Sequence, residues 1–285
     1  MKYYIFGHPI SHSLSPTIHN AAFKYLGLDS KYYLYDLPKF DSGLVKSVIT
    51  SDSFGGASVT VPHKLDIISV LDEITPSAKV IGAVNTIIVR DGKFVGDNTD
   101  WTGILDCVQA VSTTEPKNGL VIGAGGAARA AVYALSKLGL KSIYIYNRTV
   151  SKAEELKEEF KAVDIGLTVV HSLDASTWPG YEREVEGEGE GYEGVQVIIG
   201  NVPGDAMSSF PSSLFTSRTG VLVEMAYKPD VTPLMKACPN EWTVVRGTDV
   251  LLGQGYEQFR LWTGLEPPKK VMRDALEQEV LARAI

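Results

Sequence analysis

Apolar runs rich in β-branched residues alternate with helix-like stretches through the first half of the chain. Ser15-Pro16 supplies a helix start signal, with Ser15 as N-cap and Pro16 in the first turn. Asp91-Gly92 separates two β-like runs and predicts a hairpin. The predicted strands are 3–6, 31–37, 57–60, 84–89 and 94–95, and the predicted helices are 15–27, 41–50, 62–71 and 100–111.

A second series of strands and helices begins at residue 120. Its predicted strands are 120–122, 143–146, 167–170, 195–199 and 221–224, with a helix over 127–138 that stops at Gly139. From Gly253 to Ala284 the pattern turns helical. Strands that alternate with helices predict an α/β fold with mainly parallel sheets that are covered on both faces.

The composition narrows the class of protein. The 285 residues suffice for about two domains at roughly 150 residues each. The chain is 44% apolar and 21% charged, which excludes a disordered chain, a coiled coil and a collagen-like fibre. No apolar run approaches the roughly 18 residues that span a bilayer. The formal net charge of −7 argues against nucleic acid or anionic lipid as a general partner.

The two cysteines, Cys107 and Cys238, lie far apart and have no metal-ligand spacing. We therefore expect neither a disulfide framework nor a metal site, and a reducing compartment fits this usage. Met1-Lys2 leads directly into the strand-like residues 3–6, without a signal or transit peptide. A cytoplasmic location is the expectation.

The segment 182–194 breaks the composition, because Glu and Gly alternate at its centre and apolar residues are scarce. Such a segment cannot bury a core. It is therefore predicted to be a mobile surface loop, and an insertion without function is its simplest interpretation.

A glycine-rich motif follows the strand at 120–122 and opens the next helix. The first glycine permits a tight turn, the second lets the backbone approach a pyrophosphate, and the last small residue keeps helix and strand close. A methyltransferase loop or a purely structural turn has a similar pattern, but the strand–turn–helix context favours dinucleotide binding. The motif consists of Gly123, Ala124, Gly125, Gly126, Ala127 and Ala128.

The residues after the next strand favour NADP over NAD. Enzymes that use NAD place a carboxylate there to bind the ribose 2′-hydroxyl, whereas this chain has Asn147-Arg148-Thr149. A guanidinium at Arg148 binds a 2′-phosphate with two hydrogen bonds, and Arg129 in the first helix adds a second charge. The alternative is that Arg148 is an exposed arginine in a turn.

Polar clusters follow several strands of the first half, where ligands bind in open α/β sheets. Lys64 and Asp100 are the natural acid/base pair among them, because a carbonyl that accepts hydride must also gain a proton. Taken alone, each is more often a solvated surface charge. His63 beside Lys64, like His12 and His19, is better explained by a structural role than as a base.

Together these motifs make the chain similar to the shikimate dehydrogenase family, and most similar to its fungal members. The resemblance covers nearly everything from Tyr4 to the last helix. The fungal versions form the last domain of the pentafunctional arom polypeptide and, in altered form, quinate-pathway repressors. The motifs that carry the resemblance are 13–16, 59–64, 82–86, 96–100, 123–129, 147–149, 227–229 and 253–259.

The resemblance implies that the chain reduces 3-dehydroshikimate to shikimate with NADPH. It implies two domains: 1–103 plus 247–285 for the substrate and catalysis, and 104–246 as a Rossmann-like NADP-binding domain. Lys64 and Asp100 would form the catalytic pair. Ser13, Ser15 and Tyr227 would bind the substrate carboxylate, while Thr60, Asn85, Asp100 and Gln254 would bind ring hydroxyls.

Two features depart from the family pattern. Asn201 is followed by Val202-Pro203, where small hydroxylated residues are commoner, and Glu224 stands where many bacterial relatives have Asp. Two alternatives also stay open: a quinate or quinate/shikimate dehydrogenase of catabolism, and a repressor domain that binds the same ligands without turnover. Retention of both Lys64 and Asp100 argues against the repressor. The resemblance is also compatible with a domain of a larger multifunctional polypeptide.

Overall fold

A computed structural model describes residues 1–179 and 194–283. The chain forms two compact units, one of residues 1–103 with 251–285 and the other of residues 104–250. The sequence analysis placed the second boundary after residue 246. The predicted acidic loop at 182–194 lies outside the described residues, except for Gly194.

Twelve strands lie in the described part of the chain, and the predicted hairpin is confirmed as the β5–β6 pair. Its turn residues Asp91 and Gly92 both have positive φ, as a tight two-residue turn requires. The strands are β1 Lys2–Gly7, β2 Lys31–Asp36, β3 Phe54–Val59, β4 Glu73–Ile74, β5 Thr86–Arg90, β6 Lys93–Asp97, β7 Asn118–Ile122, β8 Ser142–Tyr146, β9 Thr168–Val169, β10 Val197–Gly200, β11 Gly220–Glu224 and β12 Trp242–Arg246.

The α-helices in the same part of the chain begin at capping residues or at prolines in several cases. Asp41 caps α2, Thr75 caps α3 and Thr232 caps α7, each through its side-chain oxygen. The helices are α1 Ser15–Tyr25, α2 Ser42–Ile49, α3 Pro76–Ile81, α4 Asp100–Val111, α5 Gly126–Lys137, α6 Val150–Lys161, α7 Pro233–Ala237, α8 Gly247–Thr263 and α9 Lys269–Arg283.

The first unit contains a six-stranded sheet of order β2-β1-β3-β5-β6-β4. Strand β1 pairs in parallel with β2 and β3, whereas β5 is antiparallel to both of its neighbours. The mixed, mainly parallel sheet expected for this unit is therefore observed. Its polar chain segments 60–64 and 98–100 directly follow β3 and β6.

The second unit contains a six-stranded parallel sheet of order β12-β11-β10-β7-β8-β9. Strands β7, β10 and β11 are buried over most of their length, as expected for a sheet that is covered on both faces. The glycine-rich loop leaves β7 at the centre of this sheet, next to the end of β10. The predicted α/β class with a Rossmann-like unit is confirmed for the described residues.

Two predicted helix starts are wrong in detail. Residue 15 is the first residue of α1 rather than its N-cap; Leu14 takes that place, and the Ser13 hydroxyl accepts a hydrogen bond from the Ser15 amide at 3.3 Å. The helix predicted from Pro62 is a turn followed by a short 3-10 helix, Asp66–Val70. The Lys64 carbonyl accepts its hydrogen bond from the Val84 amide at 2.8 Å, so it does not serve a helical turn.

Five elements were not predicted at all, namely the short elements β4, β12, α3 and α7 and the 12-residue helix α6. Helix α6 is mostly polar, and only Ala153, Leu156 and Phe160 are buried on its inner face. Their spacing of three and four residues is the helical signal in this stretch.

An aromatic cluster covers one face of the first unit's sheet. His19 of α1 stacks on Tyr32 with ring centroids 4.9 Å apart, and Trp262 of α8 lies 5.0 Å from the His19 ring. The Trp262 indole donates to the Ile87 carbonyl at 2.9 Å. This cluster joins α1 and α8 to the sheet.

Gly56 allows Trp262 to reach the sheet, so replacing Gly56 with Ala should destabilise the first unit. A Cβ at this position, where φ is +151°, would lie 2.5 Å from the indole ring. Overpacking of this kind costs about 1–3 kcal/mol. We expect a lower unfolding midpoint in calorimetry. Gly166→Ala is the control, because a Cβ there meets nothing within 4 Å; equal midpoints for the two variants would contradict the interpretation.

His19 should make stability depend on pH. Burial lowers the pKa of His19 to about 3, whereas an unfolded histidine titrates near 6.5. Between those values the unfolded state binds more protons, so stability should fall as the pH drops from about 6.5 toward 3. At pH 5 the loss is about 2 kcal/mol at 1.36 kcal/mol per pH unit.

His19→Gln should remove this part of the pH dependence of the unfolding free energy between pH 7.5 and 5. His8→Gln is the control, because the side chain of His8 is 39% exposed. An unchanged pH dependence in His19→Gln would show that His19 is not held neutral by burial.

Candidate active site

Lys64 and Asp100 form a buried ion pair in the first unit. Lys64 lies in the turn after β3, and Asp100 is the first residue of α4, after β6. The Lys64 Nζ donates to Asp100 Oδ2 at 2.5 Å, and each side chain is only 10% exposed. The structure therefore brings together the two residues that the sequence analysis paired as acid and base.

The second oxygen of the Asp100 carboxylate is also bonded. Asn85 Nδ2 donates to Asp100 Oδ1 at 2.8 Å. The Asp100 backbone amide donates to Asn98 Oδ1 at 3.0 Å, and Asn98 Nδ2 donates to the Ala83 carbonyl at 2.9 Å. The carboxylate is consequently held from both sides and at its own backbone.

The orientation of the Asn85 amide is set by its acceptor side. Its Oδ1 accepts from the Thr99 amide and from the Thr86 hydroxyl, each at 2.7 Å. The Nδ2 group must then face Asp100 and Thr99 Oγ1. Gln254 Oε1 lies 3.4 Å from both Asn85 Nδ2 and Thr99 Oγ1, so α8 contributes to the same cluster.

The backbone of Lys64 is anchored by its neighbours. His63 is 1% exposed, and its Nε2 lies 2.5 Å from the Leu37 carbonyl, an arrangement that makes Nε2 the donor. The His63 ring packs against Phe40 with centroids 5.7 Å apart. These contacts support the structural role expected for His63.

Four predicted substrate residues lie elsewhere in the chain: Ser13, Ser15, Thr60 and Tyr227. Ser13 and Ser15 are buried at the start of α1, and Thr60 is half-buried after β3, where its amide donates to the Phe6 carbonyl at 2.8 Å. Tyr227 belongs to the second unit and follows β11. Of the predicted set, Lys64, Asp100, Asn85 and Gln254 form one hydrogen-bonded cluster.

Three members of the cluster were not singled out from the sequence: Thr86, Thr99 and Gln258. Thr86 and Thr99 lie within polar motifs that the sequence analysis quoted, next to Asn85 and Asp100. Gln258 lies four residues after Gln254 and therefore on the same face of α8. That spacing is the signal that would have found it.

The glycine-rich loop of the second unit has the geometry that a pyrophosphate needs. Gly123 has φ +118°, and a Cβ there would lie 3.0 Å from the Asn201 carbonyl oxygen. Gly125 caps α5 without any side chain, and a Cβ there would meet nothing within 4 Å. The first amides of α5 lie beside this open position, at the positive end of the helix dipole.

Asn201 supplies a second sign of a ligand beside this loop. Its backbone amide donates to the Ile122 carbonyl at 2.8 Å, which places it at the end of β7. Its side-chain Oδ1 is buried and has no hydrogen-bond partner among the residues that the structure describes. Buried acceptors are normally satisfied, so this oxygen fits a donor from a bound molecule. The residues present thus fit a dinucleotide.

The segment 147–149 follows β8, whose last residue Tyr146 accepts at its carbonyl from the Gly123 amide at 2.7 Å. Arg148 is exposed there. The Asn147 amide group donates to the Thr149 carbonyl at 2.8 Å, so it shapes the turn. Arg129 is paired with Glu159 at 2.5 Å, which makes Arg148 the stronger candidate for a 2′-phosphate.

Glu224 organises the loop that carries Tyr227. It is 2% exposed and accepts from the Ala226 amide at 3.0 Å and from the Thr232 hydroxyl at 2.7 Å. Burial raises the pKa of the Glu224 carboxyl, and the two hydrogen bonds oppose that effect. The Glu224 side chain, which is longer than the Asp of many bacterial relatives, therefore has defined hydrogen-bond partners in this chain.

The described residues hold neither a cluster of metal ligands nor a membrane-spanning helix. Within residues 1–179 and 194–283, no group of three or more His, Cys, Asp or Glu side chains is arranged to hold a metal ion. None of the helices in that part of the chain is both long and apolar enough to cross a membrane.

A parallel sheet with a glycine-rich loop, together with a buried Lys–Asp pair in a separate unit, is typical of dinucleotide-dependent oxidoreductases. Family models match three segments: the shikimate dehydrogenase substrate binding domain at 5–87, shikimate / quinate 5-dehydrogenase at 107–176, and the shikimate 5′-dehydrogenase C-terminal domain at 247–277. The chain belongs to the shikimate dehydrogenase family, as its motifs predicted.

Relatives of known structure agree with this assignment. Shikimate 5-dehydrogenase from Thermus thermophilus, solved with NADP(H) and shikimate, is 33% identical with a TM-score of 0.80, covering 98% of this chain and 99% of that one. The dehydroquinate dehydratase and shikimate dehydrogenase of S. pombe AroM is 34% identical with a TM-score of 0.77, covering 96% of this chain and 52% of that one.

The fungal resemblance is also confirmed. The pentafunctional AROM polypeptide of Malassezia globosa is 42% identical over 93% of this chain. The chain spans 17% of the length of that relative, so it matches one part of a much longer polypeptide.

Proposed function

We propose that the chain catalyses the reversible, NADP-dependent reduction of 3-dehydroshikimate to shikimate, a step of aromatic amino acid biosynthesis. The observation that carries this proposal is the buried Lys64–Asp100 pair, which is bonded to Asn85 and clusters with Gln254, two residues of the family's substrate motifs. A protein that only bound these ligands would need no charged pair sequestered from water, because burial of charge is costly.

The pair serves proton transfer. NADPH supplies the hydride when bound, and the carbonyl oxygen of the substrate must gain a proton in the same conversion. The Lys64 ammonium donates that proton, while Asp100 holds the ammonium in place and stabilises its charge. In the oxidation direction the same nitrogen accepts the proton from the substrate hydroxyl. The hydrogen bond from Asn85 keeps Asp100 oriented during both conversions.

The remaining residues bind the substrate. Family motifs assign the carboxylate to the hydroxyls of Ser13, Ser15 and Tyr227, and the ring hydroxyls to Thr60, Asn85, Asp100 and Gln254. The Asn85 and Gln254 amides and the Asp100 carboxylate lie within one cluster, which suits several neighbouring hydroxyls on a ring.

NADP binds to the second unit in this proposal. The backbone of 123–128 receives the pyrophosphate at the start of α5, and Arg148 pairs with the 2′-phosphate. Arg148 is favoured because it is exposed after β8 and no carboxylate stands at 147–149. The Asn201 side-chain oxygen offers an acceptor to the bound cofactor.

A quinate or quinate/shikimate dehydrogenase is the second candidate, and the family model at 107–176 covers both activities. The two substrates differ by ring saturation and one hydroxyl. The deciding experiment follows the absorbance of reduced nicotinamide with shikimate or quinate, each paired with NADP or NAD. Turnover of quinate above that of shikimate would favour the second candidate, and binding without turnover would favour the repressor.

The cellular context is proposed on separate grounds. The similarity to one part of AROM polypeptides supports a domain of a multifunctional polypeptide. The two cysteines lie far apart in sequence and have no metal-ligand spacing, which supports the reducing cytoplasm as its location. Immunoblotting of cell fractions for the size and location of the native polypeptide tests both points.

Replacing Lys64 with Ala should lower kcat for shikimate oxidation by about 100- to 10,000-fold, the usual contribution of general acid–base catalysis. The KM for shikimate should change less, because other groups bind the ring. Lys93→Ala is the matched control, since Lys93 forms an exposed ion pair with Glu73 in the same unit. A folded Lys64→Ala protein with near-normal kcat would refute the assignment.

Replacing Arg148 with Ala should raise the KM for NADP and leave the KM for NAD nearly unchanged. A charged hydrogen bond contributes about 1.5–3 kcal/mol, which corresponds to roughly a 10- to 150-fold preference for NADP. The control is Arg218→Ala, at another exposed arginine of the second unit. If the wild type prefers NAD, or if the variant keeps its full NADP preference, Arg148 does not bind the 2′-phosphate.

A further inference from the structure

A chain of hydrogen bonds leads from strand β2 to the ion pair. The Tyr32 hydroxyl donates to Ser58 Oγ at 2.6 Å, and the Ser58 hydroxyl donates to Gln258 Oε1 at 2.9 Å. Gln258 Nε2 donates to Thr86 Oγ1 at 2.9 Å. Thr86 then donates to Asn85 Oδ1 at 2.7 Å, and Asn85 Nδ2 donates to Asp100 at 2.8 Å. We call these six residues the donor chain.

Every bond of the donor chain runs in the same direction. The Ser58 and Thr86 hydroxyls each accept one hydrogen bond of the series and donate the next, and the two amides accept at oxygen and donate at nitrogen. The charge of the Asp100 carboxylate, which accepts without donating, sets the end of the series. A reversed Gln258 amide would place its oxygen against the Asn85 carbonyl, which now lies 3.3 Å from Gln258 Nε2. Hydrogen bonds in such series strengthen one another.

The donor chain is sequestered from water. Gln258 and Thr86 are fully buried, and the other four residues are at most 7% exposed. Water therefore offers no substitute donor when one member is removed, and a buried group left without a partner costs free energy. The Ser15 hydroxyl also interacts with the Tyr32 hydroxyl, so Tyr32 stands beside one of the serines that the family motifs assign to the substrate carboxylate.

Tyr32 is well suited to be the first donor. Burial raises the pKa of Tyr32, so the phenol keeps its proton. Its register neighbour on β1 is Tyr3, and His19 stacks on its ring, so its position is fixed. Tyr33 lies next on the strand and contacts Tyr4 at 5.8 Å between ring centroids, on the other face of the sheet.

We propose that Tyr32 is a positioning residue for this site: its hydroxyl begins the donor chain that orients the Gln258 and Asn85 amides and thereby the Asp100 carboxylate. The claim that this affects catalysis rests on the proposed function, whereas the claim that it orders the amides does not. Tyr32 itself is four hydrogen bonds away from Asn85 and does not need to touch the substrate.

The kinetic test compares Tyr32→Phe with Tyr33→Phe. The second variant also removes a phenol hydroxyl, but from a tyrosine whose ring lies on the opposite face of the sheet. Tyr32→Phe should lower kcat about five- to tenfold, the equivalent of one hydrogen bond, and leave the KM for NADP unchanged. Tyr33→Phe should leave both unchanged. In an Asn85→Ala background, Tyr32→Phe should have less than about a twofold further effect, because the donor chain is already broken. Additive effects would overturn the proposal, since a general loss of stability is independent of Asn85.

A second measurement does not depend on activity. In ¹⁵N-labelled protein without ligand, Tyr32→Phe should shift the side-chain amide signals of Gln258 and Asn85 and speed their hydrogen exchange, whereas Tyr33→Phe should not. Ser58→Ala breaks the next bond, should have the same effects and replaces Tyr32→Phe if that variant does not fold. Unchanged amide signals in the folded variant would overturn the proposal. Wild-type protein that does not oxidise shikimate would refute the proposed function alone, and the amide signals would still decide this inference.

Discussion

Burial of the Lys64 ammonium beside the Asp100 carboxylate is the constraint on which the first unit depends. Removing two charges from water is costly, and their attraction offsets that cost only with good geometry and further hydrogen bonds. Asn85 and the Asp100 backbone contacts provide those bonds, and they draw on β5, β6 and the start of α4. In this mixed sheet β5 is antiparallel to β3, which places Asn85 next to the end of β3. Lys64 lies in the turn that follows β3.

Helix α8 belongs to this arrangement although it is distant in sequence. Gln254 and Gln258 return more than 150 residues later to bond Thr99, Asn85 and Thr86. Trp262 and Gly56 fix the same helix against the sheet through a close contact that no other residue than glycine permits. The hydrogen-bonded cluster around Lys64 and Asp100 is therefore supported by packing that lies well away from it.

The second unit differs because its proposed ligand site consists of backbone, in the glycine-rich loop, rather than of side chains. Gly123 takes a positive φ, Gly125 leaves the start of α5 open, and neither contributes a side chain. In the proposed function, selectivity for a phosphate comes from the exposed Arg148 rather than from the sheet. Family membership and the fold thus agree, and in the proposed function a few side chains decide the choice of substrate and cofactor.

The sequence alone determined the α/β class, the hairpin at Asp91-Gly92, the glycine-rich loop and the family, because these depend on local periodicity, turn chemistry and contiguous motifs. It also paired Lys64 with Asp100. The roles of Thr86, Thr99 and Gln258 were decided by the tertiary structure, since their partners are long-range and buried. The chain likewise forms a turn at Pro62 instead of the predicted helix. The Lys64 carbonyl accepts its hydrogen bond from the amide of Val84, twenty residues away. Local patterns can specify an element, but only the folded chain decides which distant donor meets which acceptor.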